Sequence, residues 1–243
     1  MTSLMKLESM LKMQQRLNDE TNGKGWEKGF SKEGKIISWR RCIYMECAEL
    51  MDSFAWKHWK DIKSEPNWEN VKIELVDIWH FILSMLLENP RCLDHCASSC
   101  ECEKNYSLLA QDISCIKSYK SFILEQGRVS NHDFHSLLGD IELIIHKCSG
   151  FGSSEGDILN VYFMLCAKCA LGLDELYEIY LGKNLLNIFR QENGYKEGLY
   201  RKTWLYEGQE REDNEVLSAL IAQGLEPSLL KEKMTAIYKG EPK

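Results

Sequence analysis

Apolar residues recur at intervals of three and four along most of this chain, and no stretch sustains the two-residue alternation of a strand. The pattern predicts a first helix over about residues 2–19, with Leu4, Leu7, Met10 and Leu11 apolar and Gln14, Gln15, Asn18 and Asp19 following. A glycine-rich connection (21–35) precedes a long helix over about 36–63, broken near Pro66, and a further helix over about 68–88 that stops before Pro90. Residues 89–104 read as irregular. Helices follow over about 105–126 and 132–148, and a glycine/serine linker leads to a long helix over about 155–182. A turn at Gly182 opens a short helix and a glycine-punctuated loop reaching Trp204, and helices near 213–223 and 226–238 finish the chain.

Composition agrees with an all-α chain. Only four prolines occur, each where a helical pattern pauses. Hydrophobic content of 44% with 28% charged residues is ordinary for a globular protein. A net charge of −7 offers no general attraction to a nucleic-acid polymer or an anionic membrane, so any polyphosphate site needs a local basic cluster. The first twenty residues carry charges throughout, unlike a signal peptide, and no run is apolar enough to span a bilayer. The expected location is the cytoplasm, where the ten cysteines are expected to be reduced.

Chemistry enters with two carboxylate pairs, Glu46/Glu49 in YMECAEL and Glu74/Asp77 in IELVDIW. A spacing of three places side chains roughly 60° apart around a helix and about 4.5 Å along it, on one face. One such pair is commonly just a solvated acidic face. Here both pairs lie among apolar residues on neighbouring helices, and carboxylates facing one another there are costly without a cation between them. Four hard oxygen donors suit two or more Mg2+ ions, which polarise phosphoryl oxygens and activate water, and Glu46 or Glu49 could take that water's proton. His80 follows Asp77 by three. A carboxylate–x–x–His pair is also a di-iron signature, but a di-iron bundle repeats it, whereas the residue three after Glu49 is Asp52. His80 therefore reads as a hydrogen-bonded core histidine ahead of a ligand.

A second cluster runs from Gly182 to Trp204. Lys183, Arg190, Lys196, Arg201 and Lys202 concentrate positive charge in an acidic chain, and Lys183, Asn187 and Arg190 share one helix face. A solvated basic face would look the same. With magnesium carboxylates in the same chain, phosphate recognition by lysine and arginine accounts for both.

The ECAE and ELVD pairs resemble the all-alpha nucleoside triphosphate pyrophosphatases. Within these, MQQRLND and GKNLLNIFRQENGYKEGLYRKTW, followed by Glu212, Asp213 and Asn214, are similar to the dimeric dUTPases. The likeness spans about residues 5–65, 68–88 and 155–215. It implies an all-α multi-helix bundle with a four-helix metal-binding core and an additional helical region: a single domain over 1–243 with a helical insertion or mobile subdomain at about 89–152. It further implies Mg-dependent hydrolysis of dUTP, and of dUDP, to dUMP by a homodimer whose active sites can be shared between chains. Glu46, Glu49, Glu74 and Asp77 would be metal ligands, with Gln14 and Asn18 near uracil and sugar and Trp56 and His80 as pocket walls. Lys183, Asn187, Arg190, Tyr195, Lys196 and Lys202 would surround the phosphates, with Asn214 close to the nucleotide. The amide of Gln14 or Asn18 offers both the donor and the acceptor that the uracil edge requires.

Two alternatives share these residues: a house-cleaning pyrophosphatase preferring another base, and a non-hydrolytic helical di-metal (iron) protein. Cys92, Cys96, Cys100 and Cys102 with His95 lack the paired spacing of common zinc modules and read as a reduced, metal-free loop. Cys166 and Cys169 read as neighbours on a buried helix face.

Overall fold

A computed structural model of the chain describes residues 1–60, 65–88, 105–124, 134–150 and 152–240. Among these residues the chain is helical apart from one short hairpin, and it forms two compact units, Met1–Leu176 and Tyr177–Lys243. The cysteine-rich segment holding Cys92, His95, Cys96, Cys100 and Cys102 lies outside the described residues.

The first unit contains α1 (Ser3–Asn22), α2 (Trp39–Asp52), α3 (Trp68–Glu88), α4 (Tyr106–Ser114), α5 (Tyr119–Leu124), α6 (Phe134–Ser149) and α7 (Glu155–Lys168). Helix α3 is apolar around nearly its whole circumference, the signature of a helix buried on every side. Accordingly α1, α2 and α7 all pack against it, and α2 also packs on α6. Trp79 of α3 stacks on Tyr162 of α7 (ring centroids 5.3 Å apart), and the Tyr162 hydroxyl donates to the carbonyl of Leu75 at 2.9 Å.

Several element limits differ from the expected ones, each through a contact that periodicity does not encode. Helix α2 stops at Asp52 rather than near 63. Ser53 is buried at its end, its carbonyl accepting from the amide of Asn67 (2.8 Å) and its hydroxyl from Asn70 Nδ2 (2.8 Å), which folds the chain back towards α3. The helix expected over 105–126 is broken between α4 and α5, where the Ser118 amide and hydroxyl bond Asn160 Oδ1 and the Asn160 carbonyl on α7 (3.2 and 2.7 Å). The helix expected over 155–182 ends at Lys168, because Ala170 adopts a left-handed conformation (φ 56°) and the Leu171 amide closes back on the Cys166 carbonyl (2.9 Å). A non-glycine residue rarely does this, so the break is silent in the sequence. Cys166 and Cys169 are both buried free thiols; burial pushes Cys169 up to about 12 and Cys166 well above the ordinary thiol range.

Helix α8 (Leu173–Glu192) runs straight through Gly182, which is no turn. Within the second unit α8 is followed by β1 (Thr203–Tyr206), β2 (Gln209–Glu212), α9 (Asp213–Ile221) and α10 (Pro227–Lys239). The two strands form an antiparallel hairpin pairing Thr203 with Glu212 and Tyr206 with Gln209. Its two-residue turn, Glu207–Gly208, has both φ angles positive (51° and 79°), as a type I′ turn requires. Four-residue strands are too short to show a sustained alternation, although Trp204 and Tyr206 are buried with Leu205 exposed between them. The unit's core joins Leu186 and Phe189 of α8 to Trp204, Val216, Leu217, Leu220, Leu230 and Met234.

Gly182 is small because α9 comes close. A Cβ there would lie 2.6 Å from Ile221 Cδ1 and 3.3 Å from Leu217 Cδ1. Alanine gains helix propensity of about 1 kcal/mol against this crowding. Gly182→Ala is thus expected to melt close to the native protein, while Gly182→Leu loses about 2 kcal/mol or more through overpacking. Urea melts check this, and a leucine variant as stable as the native chain would refute the close approach.

Candidate active site

Five polar residues of α3, at 70, 74, 77, 80 and 84, form one stripe along a helix whose other charged residues are Glu69, Lys72 and Glu88. At its amino-terminal end Asn70 Nδ2 donates to Ser53 Oγ (2.8 Å) and to Glu74 Oε1 (3.3 Å). Glu74 is buried and Asp77 half-buried; with half-buried Glu46 of α2 they form a triad whose ligand oxygens lie within 4.8 Å of one another. Glu49, one turn along α2, is exposed and outside that triad. Three carboxylates this close repel unless a cation intervenes. An all-oxygen donor set without histidine or cysteine fits a hard divalent cation rather than a thiophilic one. His80 is not part of the triad, which weighs against the carboxylate–histidine ligation of a di-iron bundle.

Further along the stripe, α1 supplies two amides. Gln14, Asn18, His80 and Ser84 are all buried. Ser84 Oγ accepts from Gln14 Nε2 and from Asn18 Nδ2, each at 3.0 Å, and donates to the His80 carbonyl at 2.8 Å. Gln14 Nε2 also donates to Asn18 Oδ1 (3.1 Å), leaving Gln14 Oε1 to meet His80 Nδ1 at 2.7 Å. With its amide nitrogen committed elsewhere, Gln14 accepts here, so the network assigns the proton to His80 Nδ1. Gln14, Asn18 and His80, expected at the site from sequence, thus meet at one point. Ser84, the hub, went unnoticed; continuing the period from Glu74 through Asp77 and His80 reaches it. Trp56, expected within a helix, follows α2 instead. Its indole N–H donates to Asp52 Oδ1 (3.4 Å) and its ring meets Trp59 edge-on (5.6 Å).

In the second unit, α8 and α9 bring Lys183, Asn187, Arg190 and Asn214 together. Lys183, fully buried, donates from Nζ to Asn214 Oδ1 (2.9 Å). Arg190 reaches the same oxygen from Nη2 (3.3 Å) and Asn187 Oδ1 from Nη1 (3.3 Å). Its guanidinium lies 5.9 Å from the ring centre of Tyr195. Lys196 and Lys202 are exposed. Asp213, named in the sequence only as part of the dUTPase-like run and given no role there, is buried at 1% exposure at the start of α9 and gripped by Arg190 through two bonds of 2.8 Å. The Tyr200 hydroxyl also donates to it (2.8 Å); burial first, then this hydrogen bond, holds the phenol well above its ordinary pKa. The sequence signals for Asp213 were its place in that run and beside Asn214.

This all-α protein carries, within the polar stripe of α3, a carboxylate triad fit for a hard divalent cation. A family model described as dUTPase matches residues 6–195, and the chain belongs to that family. It is accordingly an enzyme, a dUTP diphosphatase, acting on a nucleotide. Enzymatic membership sets aside a non-hydrolytic iron protein. The match ends at Tyr195, ahead of Lys196, Lys202, Asp213 and Asn214. No curated protein matches the chain. Among the described residues, no single helix is long and apolar enough to cross a membrane.

Removing the hub of the buried network has a defined cost. Ser84→Ala deprives two buried amide groups of an acceptor, and a loss of about 1–3 kcal/mol is expected. Chemical denaturation measures it; unchanged stability would mean that the two amides do not depend on this hydroxyl.

Proposed function

We propose that this enzyme hydrolyses dUTP, and also dUDP, to dUMP with magnesium, releasing pyrophosphate or phosphate. The observation that carries the reading is the Glu46–Glu74–Asp77 triad, held by two packed helices in a chain of the dUTPase family. These three carboxylates, together with Glu49 from the next turn of α2, would hold the magnesium ions. The chemistry such an ion would supply there is polarisation of a phosphoryl oxygen and a lowered pKa for a bound water. Glu46 or Glu49 accepts the proton of the attacking water, and exposure of Glu49 leaves it accessible for that task.

Gln14 and Asn18 read the uracil edge, with His80 and Trp56 as walls. Both amides already bond Ser84, so base binding exchanges some of these bonds, coupling recognition to a rearrangement of the network. Cytosine is rejected because its amine would meet a donor, stranding a buried polar group. Lys183, Asn187, Arg190, Tyr195, Lys196, Lys202 and Asn214 bind the phosphates. The working form is a cytoplasmic homodimer with active sites shared between chains, a reading that rests on the family and, for the compartment, on the free cysteines among the described residues.

A second reading keeps the same metal site with another base. Turnover of dUTP, dUDP, UTP, dCTP and dTTP with Mg2+ separates the two: dUTP and dUDP are expected to exceed the others by at least about a hundredfold in kcat/KM. No preference for deoxyuridine would sink the proposal. Chelation should abolish turnover, and Mg2+ should restore it. Glu74→Gln and Glu49→Gln are each expected to lose about a hundredfold or more in kcat. Because Glu49 is exposed, its variant should melt with the native enzyme; full activity of that variant would remove Glu49 from the metal set.

A further inference from the structure

We propose that Asp213 is a positioning residue for polyphosphate, its buried carboxylate setting Arg190 and Asn214 in the orientation that binds the anion. The inference rests on the phosphate-binding reading of the second unit. Asp213 does not itself meet phosphate: a carboxylate would repel it, and both oxygens are already engaged, Oδ1 by Arg190 Nη2 and Oδ2 by Arg190 Nε and the Tyr200 hydroxyl. It acts through its neighbours. Its backbone amide donates to the Lys202 carbonyl (2.8 Å), so one residue ties α8, the chain entering the hairpin and the first turn of α9.

Two features separate this from a simple structural staple. A buried ion pair is a poor source of stability, since desolvation offsets most of the attraction, and apolar residues would serve a core as well or better. What the pair does supply is direction. A guanidinium gripped through Nε and Nη2 has its plane and remaining edge fixed, and that edge reaches Asn187 and Asn214. Asn214, the next residue in the chain, accepts from both Lys183 and Arg190 and so aligns the buried ammonium with the guanidinium. Cations set in place before the anion arrives lose little freedom on binding.

The test is calorimetric titration of the full-length protein with inorganic tripolyphosphate in the presence of Mg2+, together with KM for dUTP. Asp213→Asn keeps the side-chain shape and removes the charge; Kd and KM are expected to rise about tenfold. Met234→Ala, a cavity in the same unit's core, should lower the melting temperature yet leave the tripolyphosphate Kd within about twofold. Should Asp213→Asn not fold, Tyr200→Phe, which removes one bond to the carboxylate, is expected to raise Kd about threefold. The proposal is overturned if wild-type protein does not bind tripolyphosphate, if the decisive Asp213 or Tyr200 variant binds it as the wild type does, or if Met234→Ala weakens binding equally. Tripolyphosphate loss in Asp213→Asn without any dUTP turnover by the wild type would uphold the positioning role while refuting the nucleotide assignment.

Discussion

Everything in the first unit answers to one constraint: α3 is buried on nearly every side yet carries a line of polar residues. A buried polar group without a partner costs several kcal/mol, so each member of the line dictates a neighbour. Asn70 is met by Ser53 at the end of α2, and His80 and Ser84 by the two amides of α1. Glu74 and Asp77 instead receive Glu46, which compounds the electrostatic problem. The two ends of the stripe meet neutral partners, whereas the middle gathers three carboxylates whose mutual repulsion a cation would relieve. The packing of α1 and α2 on α3 and the chemistry of the site follow from the same line of side chains.

The second unit solves a different problem. It buries one ammonium and one guanidinium beside an aromatic core, and their partners are Asn214 and Asp213, adjacent residues in the first turn of α9. An acid there is favoured twice, by the ion pair and by the positive end of the helix dipole. Two neighbouring acceptors, one neutral and one anionic, let a single helical turn organise both cations.

Much of this was legible in the chain. The helix over 68–88 coincides with α3, and the carboxylate spacing identified the face that became the triad. Gln14, Asn18 and His80, each singled out from the sequence, share one buried hydrogen-bond network. Other parts were not legible, for reasons that lie in particular residues. Ala170 ends a helix in a conformation usually reserved for glycine, while Gly182 continues one that it was expected to end. Ala170 does so within a local closure of Leu171 on Cys166, whereas Gly182 sits where α9 comes too close for a side chain.

The sequence alone determined what repeats at short range: helical period, carboxylates one turn apart, a basic helix face and family membership. Side chains three or four residues apart on a helix are neighbours whatever surrounds them. Only the tertiary structure decided which of those faces meet. It drew Glu46 rather than Glu49 into the triad, made Ser84 the centre of the amide network and bound Arg190 to Asp213. The partners in these contacts lie on different helices, separated by tens of residues, and which of them meet depends on helix packing that no local spacing encodes.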